Sequence, residues 1–162
     1  MPATQLTHHS PYTARQMYDL VADVEQYAEF LPYCTASRVL NIKEQTDGRL
    51  LMHAELTISY KFLREIYMSA VLLDPQALTI SVNKVPNSPG PLRILDNHWA
   101  FTDLPSHNTQ TEGVHNGGSQ VMFSLDFDFR LPFLRNMFNP LMGRAGEKLM
   151  QAFETRSHEL YG

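Results

Sequence analysis

The chain has 162 residues, 43% of them apolar and only 19% charged, a formal charge of −4, and a single cysteine, Cys34. One domain is expected at that length, with folding hiding roughly 70% of the unfolded surface. The composition excludes a disordered chain, no apolar run approaches the ~20 residues of a spanning helix, and the acidic balance gives no global pull toward nucleic-acid phosphates. A lone cysteine precludes an intramolecular disulfide or a thiolate metal cluster and fits a reducing compartment. The opening Met-Pro-Ala-Thr-Gln-Leu has the pattern of neither a secretory signal nor a transit peptide, so a cytoplasmic location is expected.

Residues 4–9 read as an edge strand, broken by Ser10-Pro11-Tyr12. Thr13 and Gln16 then have the spacing of a capping box, which predicts a helix start there. Met17, Leu20, Val21 and Val24 form its apolar stripe. Tyr27, Phe30 and Leu31 continue in a second short helical segment that Pro32 stops. The pair either packs on a sheet or lines a pocket.

From Cys34 the hydrophobic period changes to two. Val39–Lys43, Leu50–Tyr60, Arg64–Leu73, Leu78–Lys84 and Ile94–Phe101 read as strands, and their short links make them antiparallel neighbours. Ser119–Arg130 is the clearest strand: Val121, Phe123, Leu125, Phe127 and Phe129 alternate with Met122, Ser124, Asp126, Asp128 and Arg130. Two stretches interrupt the series. Pro105–Gly118 reads as a solvated hairpin loop. Val85–Leu95 is apolar yet poor in regular structure, which fits a lid or a loop packed over the sheet edge.

Pro132–Leu160 is the longest two-sided stretch. Leu134, Met137, Phe138, Leu141, Met142, Ala145, Leu149, Ala152, Phe153 and Leu160 recur at helical spacing. A helix of about 28 residues would reach roughly 40 Å and needs a partner surface of equal length. Pro140 predicts a kink or a short first helix. The order of strand, helix pair, six antiparallel strands and long helix is an α+β pattern, with the helices on one face of a bent sheet.

The inward face assigned to the last two strands is almost free of reactive groups. It comprises Val121, Phe123, Leu125, Phe127 and Phe129 on one strand and Trp99 and Phe101 on the other, with Asn97 as the polar exception; of these Phe123, Leu125, Phe127, Trp99, Phe101 and Asn97 are the candidate ligand contacts. The opposing helix supplies Met137, Met142 and Met150, with Phe138 and Leu141 as further candidate contacts. These side chains read either as packed core or as the wall of a lipid-sized cavity, which flexible methionines would suit. The seven histidines form no metal-ligand run, and no nucleophile elbow or glycine-rich phosphate loop occurs, so neither a metal, a cofactor nor a catalytic residue is expected. Asp126 and Asp128 are expected on the solvent face.

Tyr27-Ala-Glu-Phe30-Leu31-Pro32-Tyr33-Cys34, following a helix with Leu20-Val21-Ala22-Asp23-Val24-Glu25, resembles the coenzyme Q-binding START-domain proteins. So do Gly90-Pro91-Leu92 ahead of Leu95-Asp-Asn97-His-Trp99-Ala-Phe101, and the final strand and helix. Tyr33 and Leu92 depart from it, standing where many relatives have tryptophan and phenylalanine. The resemblance implies a helix-grip fold with a hydrophobic tunnel, and binding of ubiquinone or a related polyprenyl quinone as a carrier or chaperone supporting respiration rather than as an enzyme. It also implies that Phe30, Leu31 and Pro32 lie at the tunnel wall and that Trp99 contacts the guest. An apolar mouth near Leu131–Phe138 would bring the protein into peripheral contact with the inner membrane. Two alternatives accompany this reading: a ribosome-associated inhibitor of subunit joining, as bacterial proteins similar to this family are described, and a cyclase or hydrolase of the wider superfamily.

Overall fold

The computed structural model describes residues 3–60, 63–86, 92–105, 118–142 and 144–162, with side chains described at all of these except 3, 4, 60, 63, 138–142 and 145. Seven strands, β1 (Ala3–Ser10), β2 (Cys34–Glu44), β3 (Leu50–Tyr60), β4 (Leu63–Asp74), β5 (Thr79–Lys84), β6 (Leu92–Asp103) and β7 (Ser119–Phe129), form one antiparallel sheet. Its order is β1-β7-β6-β5-β4-β3-β2, so consecutive strands from β2 to β7 are neighbours and β1 adds to the far edge. Register shifts within the β2–β3 ladder and at Leu92/Ile94 in β6 mark bulges, which bend a sheet toward one face.

Four helices lie in the sequence order expected: α1 (Ala14–Ala22), α2 (Tyr27–Phe30), α3 (Pro132–Met142) and α4 (Ala145–Tyr161). The Thr13 hydroxyl accepts from the Gln16 amide at 3.1 Å and the Gln16 side chain accepts from the Thr13 amide at 2.9 Å, a complete capping box. Such a cap satisfies two of the amides that a helix start leaves unpaired. Met17, Tyr18, Leu20 and Val21 of α1 are buried, and Asp103 on β6 accepts from the Ala14 amide at 2.8 Å. At the base of β7, Gly118 has φ +66°, and a Cβ there would collide with the Ser10 carbonyl. Only glycine fits where β1 and β7 approach so closely.

Of the kink or short first helix expected around Pro140, the structure has the short first helix, α3, followed by the longer α4. Pro140 lies inside α3, and the break falls after Met142, with Arg144 (φ −121°, ψ 1°) heading α4. The Val85–Leu95 stretch is also corrected in part, because Leu92 already belongs to β6; residues 87–91 and 106–117, the heart of the expected lid and hairpin loop, lie outside the described residues.

Asp128 departs from its expected solvent position. Its side chain is 3% exposed, with Arg93 Nη2 2.7 Å from Oδ2 and Arg135 Nε 2.8 Å from Oδ1. The bulge at Leu92/Ile94 breaks the register beside it, and Arg135 from α3 closes over the carboxylate. The Arg93 hydrogen bonds foremost, then those of Arg135, hold its pKa below the usual carboxylate range against the cost of desolvation.

Candidate functional site

Between α4 and the concave face of the sheet lies a cavity of about 290 Å³. Its existence follows from where half-buried side chains sit. Val82 is on β5, a central strand flanked by β4 and β6, yet it is only partly buried. A side chain there on the helix-covered face gains exposure only by facing a gap. Leu56, Leu95, Phe127 and Leu149 border the same gap and are likewise only partly buried.

The far wall is aromatic. Phe153 of α4, 1% exposed, meets Trp99 at 5.2 Å, Tyr27 at 5.5 Å and Phe30 at 5.2 Å between ring centroids, and Trp99 lies 4.1 Å from Phe123. Three of these four contacts are edge-to-face, the arrangement ring quadrupoles favour. Trp99 Nε1 donates to the Asn97 side-chain carbonyl at 3.0 Å, which satisfies the indole and turns the Asn97 NH₂ away from it. The Tyr27 hydroxyl donates to the Val21 carbonyl, and burial, with the Asp23 charge behind it, pushes that phenol well above its ordinary pKa.

Pro32 and Lys148 are the exposed members of the wall and mark its mouth, where the turn between α2 and β2 faces the start of α4. Tyr33 stands between them in the left-handed backbone region, with φ 68°. A non-glycine residue rarely adopts that conformation, and here it turns the ring toward Lys148, whose ammonium lies 5.9 Å from the ring centroid and 3.5 Å from the hydroxyl. Cys34 follows with its thiol pKa raised by burial, so it is a poor nucleophile.

Of the residues singled out in sequence, Leu31, Pro32, Asn97, Trp99, Phe123, Leu125 and Phe127 lie in the cavity wall. Phe30, Phe101 and Met137 do not. Phe30 is taken up by Phe153 and by the Arg156 guanidinium 5.3 Å over its ring; Phe101 lies against Tyr18 of α1, 5.9 Å away; Met137 packs on Leu92, Phe129 and Leu134. The side chains of Phe138 and Leu141 lie outside the described residues. Sequence reasoning missed Tyr67 and Ser69 on β4 and Lys148 at the mouth. The period-two pattern of β4 puts Tyr67, Ser69 and Val71 on one face, a signal that was present but masked by the polar serine. Among the described residues no three histidine, cysteine or acidic side chains converge to hold a metal ion, and no helix is long and apolar enough to cross a membrane.

A bent antiparallel sheet gripping a carboxy-terminal helix around an apolar cavity defines a helix-grip, START-like protein. It superposes with a TM-score of 0.74 on a START superfamily protein from Mycobacterium smegmatis, at 19% identity and 98% coverage of each chain. The chain belongs to the polyketide cyclase / dehydrase and lipid transport family, whose signature matches residues 10–154. It is similar to the ribosome association toxin RatA of Pseudomonas aeruginosa, 34% identical over 152 residues that cover 94% of this chain and 92% of that one. It is also similar to the mitochondrial coenzyme Q-binding protein coq10 of Schizosaccharomyces pombe, 28% identical over 144 residues that cover 88% and 79%.

Proposed function

We propose that the cavity binds a polyprenyl quinone of the ubiquinone type, and that the protein acts as its carrier or chaperone for respiratory electron transport, without catalysing a reaction. The observation that carries this reading is the wall itself: central-strand side chains such as Val82 and Leu95 border a gap closed by aromatic rings, with Lys148 as its one charged member among the described residues. The name of the coq10 relative supports the same guest. A volume of about 290 Å³ lies near the lower end of the ~300–1,000 Å³ of small-molecule sites. It suits a quinone ring with the first part of its tail. At about 0.8 kcal/mol per buried CH₂-sized group, each five-carbon unit contributes roughly 3–4 kcal/mol before ordering costs, so tail contact alone supports useful affinity.

Delivery to a bilayer fits the surface near the start of α3. Leu131 and Phe133 are 56% and 60% exposed, and Arg130 and Arg135 flank them. That end of the molecule is the natural place for peripheral contact with an anionic membrane. Solvent extraction of protein purified from cells, followed by mass spectrometry, should recover a quinone in stoichiometric amount. Preparations that carry no apolar lipid and take none up from quinone-loaded vesicles would overturn the reading.

A second reading, ribosome association, is favoured by one observation: the RatA relative is the more similar of the two named proteins, and over more of the chain. Sedimentation of ribosomes with the purified protein separates the readings. A shift of assembled ribosomes toward free subunits assigns the second activity, whereas an unchanged profile together with bound quinone leaves the first alone.

A further inference from the structure

The cavity wall contains few polar atoms, and most are already engaged. The Tyr27 hydroxyl is held by the Val21 carbonyl, the Trp99 indole by Asn97, the Cys34 thiol by the Ala36 carbonyl at 3.5 Å, and the Tyr33 hydroxyl by Lys148 at the mouth. Ser69 is the most deeply buried of those that are not engaged. It is 2% exposed, lines the cavity, and its Oγ has no hydrogen-bond partner. A buried hydroxyl left unpaired costs on the order of 1–3 kcal/mol, and an acceptor that reaches it, a guest's oxygen or a water, recovers that cost. Two residues earlier on the same strand face is Tyr67, whose phenol also borders the cavity. Burial, with Glu65 adding to it, pushes the Tyr67 pKa up to about 12, so the hydroxyl keeps its proton.

Neither strand neighbour of Ser69 supplies the missing partner. Directly across from Ser69 are Ala54 on β3 and Lys84 on β5. Ala54 is too small to cover the hydroxyl, and the Lys84 ammonium lies 3.5 Å from the Val85 carbonyl. Alternation along β4 places Tyr67 and Ser69 roughly 7 Å apart at Cα, side by side beneath the gap. A third donor, the Asn97 NH₂, lies two strands away on the same wall.

We propose that Ser69 and Tyr67 form a hydrogen-bonding subsite that receives the carbonyl oxygens of an otherwise apolar guest. The subsite rests on the quinone reading and sharpens it: the ring would lie over β4, with its oxygens toward the two hydroxyls. Quinone oxygens accept and do not donate, which matches a wall whose uncommitted polar groups can all donate. A plain polyprenyl hydrocarbon would gain nothing from this subsite, so Ser69 and Tyr67 set head-group selection while the aromatic wall sets affinity for the tail.

Trp99 is the only tryptophan and sits in the same wall, so its fluorescence reports binding of a short-tailed benzoquinone directly. Ser69→Ala and Tyr67→Phe should each weaken that binding by about fivefold, equivalent to about 1 kcal/mol. Competition by a tail-matched hydrocarbon should be unaffected, and the infrared carbonyl stretch of the bound quinone should move back toward its value in apolar solvent. Both variants keep the shape of the wall. Ser69→Ala should melt no lower than the parent in the absence of guest, because it removes an unpaired polar atom. Unchanged quinone affinity and carbonyl stretch in both variants would overturn the subsite while leaving the quinone reading intact. Equal losses of quinone and hydrocarbon would also overturn it, by showing a packing effect. A parent protein that binds no quinone brings down the reading and the subsite together.

Discussion

Replacing Val82 with phenylalanine tests whether the gap above the sheet is real, because the sign of the stability change depends on it. Val82 pairs with Val71 and Asn97 on its two sides and is only partly buried, so a ring at that position projects into the cavity of about 290 Å³. In a solidly packed core the added atoms would force strain worth about 1–3 kcal/mol. In a gap, the ring is taken out of water and contributes up to about 1–2 kcal/mol, and phenylalanine is also a good strand former. For a domain of this size each kcal/mol moves the melting temperature by about 2–4 °C, so the two cases differ in direction. Lipid retention should move the opposite way. A ring displaces about one five-carbon unit of guest, roughly 3–4 kcal/mol, and lowers affinity by at least two decades. The assay pairs thermal melting of delipidated protein with Trp99 fluorescence titration. A variant that melts several degrees lower and binds the quinone normally would refute the cavity.

Trp99→Phe keeps the stacking on Phe123 but frees the Asn97 carbonyl, and is expected to cost about 1 kcal/mol, seen as a melting temperature lower by a few degrees. Asp128 predicts an acid limb to stability. Its pKa is lowered in the fold, so its contribution is full above about pH 4, the unfolded carboxylate value, and is lost as pH falls through the lower folded value. Asp128→Asn should melt lower than the parent at neutral pH and show a shallower decline below pH ~4; parallel pH profiles would count against the ion-pair account. Leu131→Ser with Phe133→Ser should reduce binding to phosphatidylglycerol vesicles: burying half of each side chain is worth about 2 kcal/mol together, or roughly 25-fold. Equal vesicle binding by parent and double variant in a flotation assay would remove that end of the molecule from the membrane contact.

The sequence carried the fold where a rule acts locally. Thr13 and Gln16 cap a helix because their spacing alone satisfies two amides, and β7 alternates because one face must be dry. It misled at Asp128, whose place in the alternation reads as solvent while two arginines from distant parts of the chain, Arg93 and Arg135, make burial tolerable. No pattern in β7 reports that Arg93 and Arg135 will meet there. The same limit separates Phe101 from Trp99. The two share a strand face, and their rings stack 6.2 Å apart, yet one lies beneath α1 and the other borders the gap. Periodicity assigns a face, and only the placement of the helices divides that face into core and cavity.

That division also bears on the two functions named among the relatives. The half of the concave face covered by α1 is filled by Met17, Tyr18 and Leu20, all nearly inaccessible. The half facing α4 is only partly filled: Met150 and Phe153 are buried in the core, while Leu149 and Phe153 also border the gap. A protein that acted only through its outer surface would gain stability by closing that gap with larger side chains at Val82 or Ala54. Each methylene-sized void left in a core costs about 1 kcal/mol. Retaining both the void and an unpaired Ser69 hydroxyl inside it is therefore a standing cost of several kcal/mol. Under the carrier reading proposed above, an apolar guest with acceptor oxygens recovers that cost on binding, whether or not the loaded protein also meets a ribosome.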